Sequence, residues 1–92
     1  MYFVYIVQCN NNSLYTGITT DVNRRVSEHN KGKGGNFTSA YRPVNLLYQE
    51  QYPDRSQASK REEQIKRWTR KKKLALINGD KEKLKRLSIS HD

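Results

Sequence analysis

Residues 2–17 read YFVYIVQCNNNSLYTG and contain two short apolar segments separated by a cluster of asparagines. Aromatic and β-branched residues dominate both segments, which favours β-strands at residues 2–8 and 14–19. The asparagines can supply the turn between them, because asparagine tolerates left-handed backbone and caps its own chain. The stretch therefore predicts an antiparallel hairpin, with Tyr5 in the FVY segment of the first strand and Tyr15 in the YTG segment of the second.

These two tyrosines allow two interpretations. Packing alone explains a tyrosine in a strand, since aromatic residues are enriched there. Side chains of a strand alternate between its faces, so a register of even parity would place both tyrosines on one face, as direct or diagonal neighbours. The length of the loop does not fix that parity, and the sequence of the hairpin leaves both interpretations open.

Beyond the hairpin, apolar spacing and capping residues predict one further strand and three or four helices. Asp21 and Asp54 are good N-caps, and Pro53 stops the strand that precedes Asp54. The expected segments are a helix over 22–30, a mobile basic loop over 31–42, a strand over 44–52, helices over 54–68 and 69–77, and a last amphipathic segment from 80 to 87. The order β-β-α-β-α-α implies an α+β fold, a three-stranded sheet flanked by helices. We expect a single domain over residues 1–88, with a frayed tail at 89–92.

Charge indicates a polyanionic partner. The chain of 92 residues has 18 Lys and Arg against 9 acidic residues, and residues 55–92 alone hold 13 basic and 5 acidic ones. Such a surface favours nucleic acid, because each neutralised phosphate releases counterions; the alternative is a merely solvated helix surface. The residues expected to contact nucleic acid lie in the loop after the first helix and in the helices from residue 60 onwards: Lys31, Lys33, Arg42, Lys60, Lys66, Arg67, Arg70, Lys71, Lys72 and Lys73.

Several other classes of protein are disfavoured. Cys9 is the only cysteine, which excludes an internal disulfide or a cysteine-based zinc site. The first apolar run ends at Val7, too short for a signal peptide or a membrane span, so we expect a cytoplasmic protein without a membrane partner. The KGKGG segment lacks the spacing of a nucleotide-binding P-loop.

Three polar residues fall where chemistry is conceivable. Ala58, Ile65 and Trp68 mark the inward face of the helix after Asp54, and either Arg61 or Glu62 completes that face. A carboxylate placed there needs a cation or hydrogen bonds, but Glu62 at the edge could equally pair with Lys66. Arg25 and His29, four residues apart, could present a guanidinium to phosphate and an imidazole for proton transfer. Their simpler interpretation is an ion pair between Arg25 and Glu28 beside an exposed histidine.

Taken together, the positions resemble the GIY-YIG nuclease superfamily in order and spacing. The matching segments are FVY at 3–5, YTG at 15–17, RRVSEH at 24–29 and ASKRE at 58–62, and QIKRWTRKKKLALI resembles its small stand-alone bacterial branch. By this resemblance Tyr5, Tyr15, Arg25 and His29 are catalytic positions, Gly17 is a structural one, and Glu62 holds one divalent metal ion, Mg²⁺ or Mn²⁺. That interpretation replaces the simple ion pair for Glu62.

The resemblance implies a metal-dependent endonuclease acting on DNA, in repair or recombination, by structure rather than sequence. Tyr15 is favoured over Tyr5 for orienting or deprotonating the water, and a base near neutral pH requires the metal and Arg25 to lower the pKa of a tyrosine. The alternatives are a non-catalytic module that binds DNA or RNA, and a protein-interaction module with incidental charge. We expect a monomer, with a protein partner as one possible source of targeting.

The sequence also departs from the family pattern. Phe3 and Thr16 replace the glycine and the middle isoleucine of the family name, which these positions tolerate. Ile18 stands where several repair nucleases carry a lysine. Asn78 is the nearest counterpart of a C-terminal asparagine found in many members, but its spacing differs.

Overall fold

A computed structural model describes residues 1–33, 38 and 40–89, with the backbone alone at Ile89. Its elements are β1 Tyr2–Gln8, β2 Leu14–Thr19, α1 Val22–Asn30, β3 Asn45–Tyr52, α2 Arg55–Lys66, α3 Arg70–Ile77 and α4 Lys81–Ile89. The strands form one antiparallel sheet in the order β2-β1-β3. The predicted α+β fold is confirmed, and these elements include four helices.

The predicted boundaries agree closely with the observed ones. β1, β2 and α1 span the predicted residues, and β3 begins one residue later, at Asn45. α2 ends at Lys66, two residues before the predicted end. Of the expected loop, residues 34–37 and 39 lie outside the described residues, as do residues 90–92 of the expected tail.

Side-chain caps explain why the helices start where they do. The Asp21 carboxylate accepts a hydrogen bond from the amide of Arg24 at 3.1 Å, and Asp54 accepts one from the amide of Gln57 at 2.9 Å. Thr69 and Asp80 cap α3 and α4 in the same way. Each cap satisfies an amide that has no partner inside its helix, a contribution of about 1 kcal/mol.

The register of the hairpin places Tyr5 opposite Gly17 and Val7 opposite Tyr15. Its parity is even, so Tyr5 and Tyr15 are diagonal neighbours on one face of the sheet. The conditional prediction is confirmed. Because both flanking strands pair with β1, this face is built around the central strand of the sheet.

The two faces of β1 are buried against different helices. On the even-numbered face, Val4 and Ile6 pack with Ala58 and Ile65 of α2, all four fully buried. On the odd-numbered face, Tyr5 and Val7 pack with Cys9 and Val44, and Val26 of α1 covers this cluster. The stripe predicted for α2 is thus confirmed at Ala58 and Ile65.

A polar network joins β3 to α2 on the even-numbered face. The Glu50 carboxylate receives two hydrogen bonds from Arg61, at 2.9 and 3.0 Å. It also accepts the hydroxyls of Tyr52, at 2.6 Å, and of Tyr48. We call these four residues the Glu50 cluster. Burial alone would raise the pKa of Glu50, but the bonds from Arg61, Tyr48 and Tyr52 outweigh it and hold that pKa below its ordinary value.

No helix among the described residues is long and apolar enough to cross a lipid bilayer.

Candidate active site

Three rings meet on the odd-numbered face of the sheet. The ring centroids of Tyr5 and Tyr15 are 6.4 Å apart. The His29 ring lies 5.9 Å from Tyr5 and 5.4 Å from Tyr15, and is nearly perpendicular to the latter. Two strands and α1 therefore bring a phenol pair and an imidazole together, at distances typical of favourable aromatic contacts.

His29 is fully buried, which the simpler interpretation of an exposed histidine does not allow. Its Nε2 lies 2.9 Å from the Tyr5 hydroxyl, and its Nδ1 lies 2.8 Å from the hydroxyl of Thr38. The end of α1 is fastened next to it, because the Asn30 side chain accepts the Val44 amide at 2.7 Å. The imidazole is thus held at both nitrogens and cannot turn.

The protons in this chain can be assigned. Burial raises the pKa of Tyr5 to about 12, outweighing a hydrogen bond from Arg25 that lowers it. Tyr5 is therefore protonated at neutral pH, and its oxygen accepts from Arg25 because a guanidinium only donates. Its O–H then donates to His29 Nε2, which leaves the proton of the neutral imidazole on Nδ1, donating to Thr38.

The pKa of His29 is shifted in the direction that this assignment requires. Burial lowers it, and the nearby positive charge of Arg25 lowers it further. His29 is neutral at neutral pH, and it can accept a proton from Tyr5 only against these effects.

Without a bound metal ion, Arg25 alone does not bring the pKa of Tyr5 below its ordinary value. Arg25 does act in that direction, but the cost of ionising a buried phenol is larger and the pKa rises. Tyr5 is consequently a hydrogen-bond donor at neutral pH. Tyr15, by contrast, is only half-buried.

Arg25 links this face to α1. Its side chain is 29% exposed, and Nη1 lies 3.2 Å from the Glu28 carboxylate. The simple interpretation of an Arg25–Glu28 ion pair is therefore correct as geometry. The same guanidinium also hydrogen-bonds Tyr5, so the ion pair holds it against the aromatic cluster.

Glu62 is both turned inward and paired with Lys66, the two arrangements that the sequence offered as alternatives. Its side chain is 18% exposed, and its carboxylate lies 3.4 Å from the ammonium of Lys66. It also acts electrostatically on Tyr5, whose pKa it raises. The carboxylate is therefore within electrostatic range of the phenol at the centre of the cluster.

Glu62 can hold a hard divalent cation, but only as one ligand of several. No group of three or more His, Cys, Asp or Glu side chains within the described ranges is placed to bind a metal ion. Mg²⁺ characteristically uses one or two carboxylates and fills its shell with waters and substrate phosphate. A lone carboxylate that reaches solvent fits that chemistry, so the residues present are compatible with one such ion.

Gly17 is required by its contact with Tyr5. A β-carbon at this position would lie 2.6 Å from the Tyr5 hydroxyl oxygen and 2.8 Å from Cζ. The phenol thus lies directly on the backbone of β2. We expect any side chain here to push Tyr5 away from His29.

The cations expected to bind nucleic acid differ in their surroundings. Lys72 is buried, with its ammonium 4.3 Å from the centre of the Trp68 ring, and Arg70 donates to the Asn12 carbonyl at 2.7 Å. Burial and the neighbouring Lys66 lower the pKa of Lys73, which is half-buried. The exposed residues of the set are Lys31, Lys33, Arg42, Lys60, Lys66, Arg67, Arg70 and Lys71.

Thr38, among the described residues, contacts the candidate site but was not indicated by the sequence. It is 1% exposed and belongs to the segment predicted as a loop. A lone threonine in a glycine-rich basic segment gives no periodic signal. Asn78, the nearest counterpart of the family's C-terminal asparagine, is exposed at the C-cap of α3.

Comparison with known proteins identifies the family. Residues 1–75 match the family model described as the GIY-YIG catalytic domain. A UPF0213 protein of Staphylococcus aureus strain Mu3 is 57% identical over 76 residues, which cover 83% of this chain and 93% of that protein.

Two solution NMR structures share the fold. The UPF0213 protein of Bacillus halodurans is 38% identical, with a TM-score of 0.55 over 85% of this chain and 84% of that one. A protein of E. faecalis is 35% identical, with a TM-score of 0.58 over 85% of this chain and 83% of that one. The chain belongs to the GIY-YIG family, and its similar relatives include UPF0213 proteins.

Proposed function

We propose that this protein is a divalent-metal-dependent endonuclease that hydrolyses phosphodiester bonds in DNA, at particular structures rather than particular sequences. The observation that carries the proposal is the convergence of Tyr5, Tyr15, Arg25 and His29 on one face of the sheet, with the Glu62 carboxylate in electrostatic range. Membership of the GIY-YIG family supports it.

Arg25 would stabilise the negative charge that develops on the non-bridging oxygens of phosphate. A guanidinium has five donors, so it can keep its bond to Tyr5 while it turns others to the substrate. Its existing partner, Glu28, holds it in place before the substrate arrives. Pre-positioned donors of this kind contribute about 10²–10³ in rate in other hydrolases.

The phenols and the imidazole would divide the remaining work. Tyr5, protonated, buried and fixed between Arg25 and His29, would position Arg25 from behind. Tyr15 is the candidate for orienting or deprotonating the attacking water. Neutral His29 keeps the Tyr5 hydroxyl pointing in one direction.

Glu62 would hold one Mg²⁺ or Mn²⁺ ion, which when bound supplies Lewis-acid polarisation of the phosphate. In its absence Lys66 neutralises the carboxylate at 3.4 Å. Because Lys66 is half exposed, it can move away when a cation of higher charge arrives.

The exposed cations of the loop after α1 and of α2 and α3 would bind the DNA backbone. Such contacts are sequence-independent and fall steeply in strength with salt. They support recognition of shape rather than of base sequence.

Cleavage of labelled single-stranded, duplex, flapped and four-way DNA tests the proposal, with Mg²⁺, with Mn²⁺ and with a chelator. We expect metal-dependent cutting by the wild type. Glu62→Gln should lose at least about 100-fold in rate while retaining affinity for DNA, because only the metal ligand changes. Glu63→Gln is the matched control, since Glu63 is the exposed neighbour with the same charge, and should cut normally.

One observation favours a second candidate function, a non-catalytic module that binds DNA or RNA. The Glu62 carboxylate already has a cationic partner in Lys66, so it needs no metal to be stable. This alternative predicts that wild type and Glu62→Gln both shift every substrate and cut none. If neither protein binds nucleic acid in a salt-dependent manner, both functions are excluded.

A further inference from the structure

A cavity of about 310 Å³ lies beside the aromatic cluster, between the β1–β2 hairpin, α1 and the first residue of α2. We call it the arginine cavity. It is lined by Tyr2, Ile18, Thr19, Thr20, Arg24, Arg25, Glu28 and Arg55. Three of these eight residues are arginines from two different helices, and the sequence reasoning assigned no nucleic-acid contact to Arg24 or Arg55.

The charges around the arginine cavity do not balance. Glu28 is the one carboxylate in the lining, and it is shared by Arg25 at 3.2 Å and Arg24 at 4.0 Å. Within the described part of the chain, the guanidinium of Arg55 makes no hydrogen bond or ion pair. Three guanidiniums facing one carboxylate leave a net charge of about +2, which repels itself unless an anion binds.

The surroundings are also suited to an ester of phosphate rather than to a bare ion. The Thr20 hydroxyl accepts from Arg24 at 3.3 Å and can donate its own proton to a phosphate oxygen. Tyr2 and Ile18 add half-buried apolar surface, against which a sugar can pack. The volume is near the lower end for a small-ligand site, which suits one phosphate with its attached sugar.

Arg25 connects the arginine cavity to the candidate active site. The same guanidinium lines the cavity and hydrogen-bonds Tyr5. A nucleic acid strand whose scissile phosphate lies against the partly exposed Arg25 would therefore bring a neighbouring phosphate within reach of the cavity.

We propose that the arginine cavity binds the phosphodiester adjacent to the scissile one, with Arg55 and Arg24 as its ligands. This proposal rests on the proposed function, since it assigns a second phosphate of the same strand. Arg55 anchors the strand from the start of α2, the helix that carries Glu62. The cavity would thereby fix which bond of the strand reaches the metal ligand.

Short oligonucleotides test this without requiring cleavage. Thymidine dimer d(TpT) has one phosphodiester and trimer d(TpTpT) has two. In the presence of a chelator, both are titrated into the ¹⁵N-labelled protein while the arginine side-chain Nε–Hε resonances are followed by NMR. We expect the trimer to bind about tenfold more tightly than the dimer and to shift Arg25 and Arg55 with the same dissociation constant.

Removing the charge of the second phosphodiester, or that of an arginine in the cavity, should abolish the tenfold tighter binding of the trimer. A trimer with one methylphosphonate linkage should bind like the dimer. Arg55→Gln should bind trimer and dimer with similar affinity, and Arg24→Gln should show a smaller loss. Arg86→Gln on α4, which removes the same charge outside the cavity lining, should keep the tenfold ratio.

The proposal is overturned if Arg55→Gln keeps the wild-type ratio, or if Arg86→Gln loses as much as Arg55→Gln. The second result would mean that the gain is diffuse electrostatic attraction. Both readouts are independent of catalysis. A wild-type enzyme that cuts DNA without the tenfold ratio would refute only the cavity, and a tenfold ratio without any cutting would refute only the nuclease.

Discussion

The candidate active site and the Glu50 cluster contain the same kinds of side chain in opposite arrangements. Each has two tyrosines and an arginine, and each lies on one face of the same sheet. In the Glu50 cluster the carboxylate is central and accepts four hydrogen bonds, two of them from Arg61. In the active site the centre is a neutral Tyr5–His29 pair, with the carboxylates Glu28 and Glu62 at its edge.

By this difference we assign the Glu50 cluster to stability and the candidate active site to the proposed function. The charges of the Glu50 cluster compensate each other, so the cluster joins β3 to α2 and has little left to offer a ligand. On the opposite face, Arg25 and Arg24 share a single carboxylate, Glu28, and the local charge is positive. Uncompensated positive charge next to ordered phenols is what phosphate chemistry needs.

The largest effect is expected from Gly17→Ala, which would disrupt the packing of Tyr5 in the candidate active site. The new methyl group would lie 2.6 Å from the Tyr5 hydroxyl oxygen, and Tyr5 is buried and cannot move freely. We expect the free energy of unfolding to fall by about 3 kcal/mol. DNA cleavage per folded molecule should fall at least about 100-fold, because Tyr5 would lose His29 and Arg25.

Gly79→Ala is the control for that substitution, measured by chemical denaturation and cleavage assay. Gly79 has a φ of +70°, and an added β-carbon would have no described atom within 4 Å apart from those of its chain neighbours. It should cost about 1 kcal/mol of stability from backbone strain and leave cleavage intact. Equal losses of cleavage in both variants would show that Gly17 acts through stability alone.

Glu50→Gln, which disrupts the Glu50 cluster, should destabilise the protein without abolishing DNA cleavage. The amide has one acceptor oxygen in place of two charged ones, so Arg61 and a tyrosine lose charge-assisted bonds. We expect the free energy of unfolding to fall by about 2 kcal/mol, measured by urea denaturation. At a temperature where the variant remains folded, its cleavage rate should stay within about twofold of wild type. A loss of cleavage comparable to that of Gly17→Ala would contradict the separation of roles.

Thr38→Val tests whether the chain of hydrogen bonds from Tyr5 through His29 matters for activity. Valine has the same shape as threonine but leaves the buried Nδ1–H of His29 without its partner, at a cost of about 1 kcal/mol. We expect the rate constant for cleavage to fall about tenfold with unchanged affinity for DNA. Thr38→Ser, which retains the hydroxyl, should restore most of the rate, whereas failure of serine to do so would argue against the hydrogen bond.

The smallest effect is a difference in the pH ranges over which the two regions lose stability. The pKa of His29 is lowered from 6.5 in the folded state, so the unfolded chain binds its proton first and stability declines as pH falls below about 6.5. The pKa of Glu50 is lowered from 4.5, so its contribution is complete above that pH and declines only as pH falls further. The free energy of unfolding, measured at several pH values between 7.5 and 3.5, should therefore decline in two steps for the wild type. His29→Gln should lack the step at higher pH, and Glu50→Gln should lack the step at lower pH. Removal of the same step by both variants would refute the assignment.

Local signals in the sequence were sufficient for most of the fold. The aromatic and β-branched residues on both sides of Asn10–Ser13 define the hairpin, and Asp21 and Asp54 define two helix starts. These features depend on residues near one another in the chain, where propensity and capping dominate. Residue order also led to the family that the comparison shows, because its motif positions follow those same elements.

The parts that could not be predicted depend on distant contacts. Thr38 and Val44, the residue before β3, contact the end of α1 where His29 is buried, and local helix spacing gives no hint of either contact. Glu50 looks like an ordinary strand residue until Arg61 reaches it from a helix eleven residues later. The sequence also gives no sign that Arg55 lines the same cavity as Arg24 and Arg25, because α2 and α1 are distant in the chain.

The central claim, that one tyrosine–arginine arrangement is catalytic and the other structural, is tested most directly by comparing Arg25→Gln with Arg61→Gln. The measurement is the single-turnover rate of DNA cleavage in Mg²⁺, normalised to the folded fraction from denaturation of the same samples. We expect Arg25→Gln to lose about 100-fold or more in rate with little change in stability. We expect Arg61→Gln to lose about 2 kcal/mol of stability and to cut at nearly the wild-type rate. Normal cleavage by Arg25→Gln, or equal loss of cleavage in both variants, would contradict the claim.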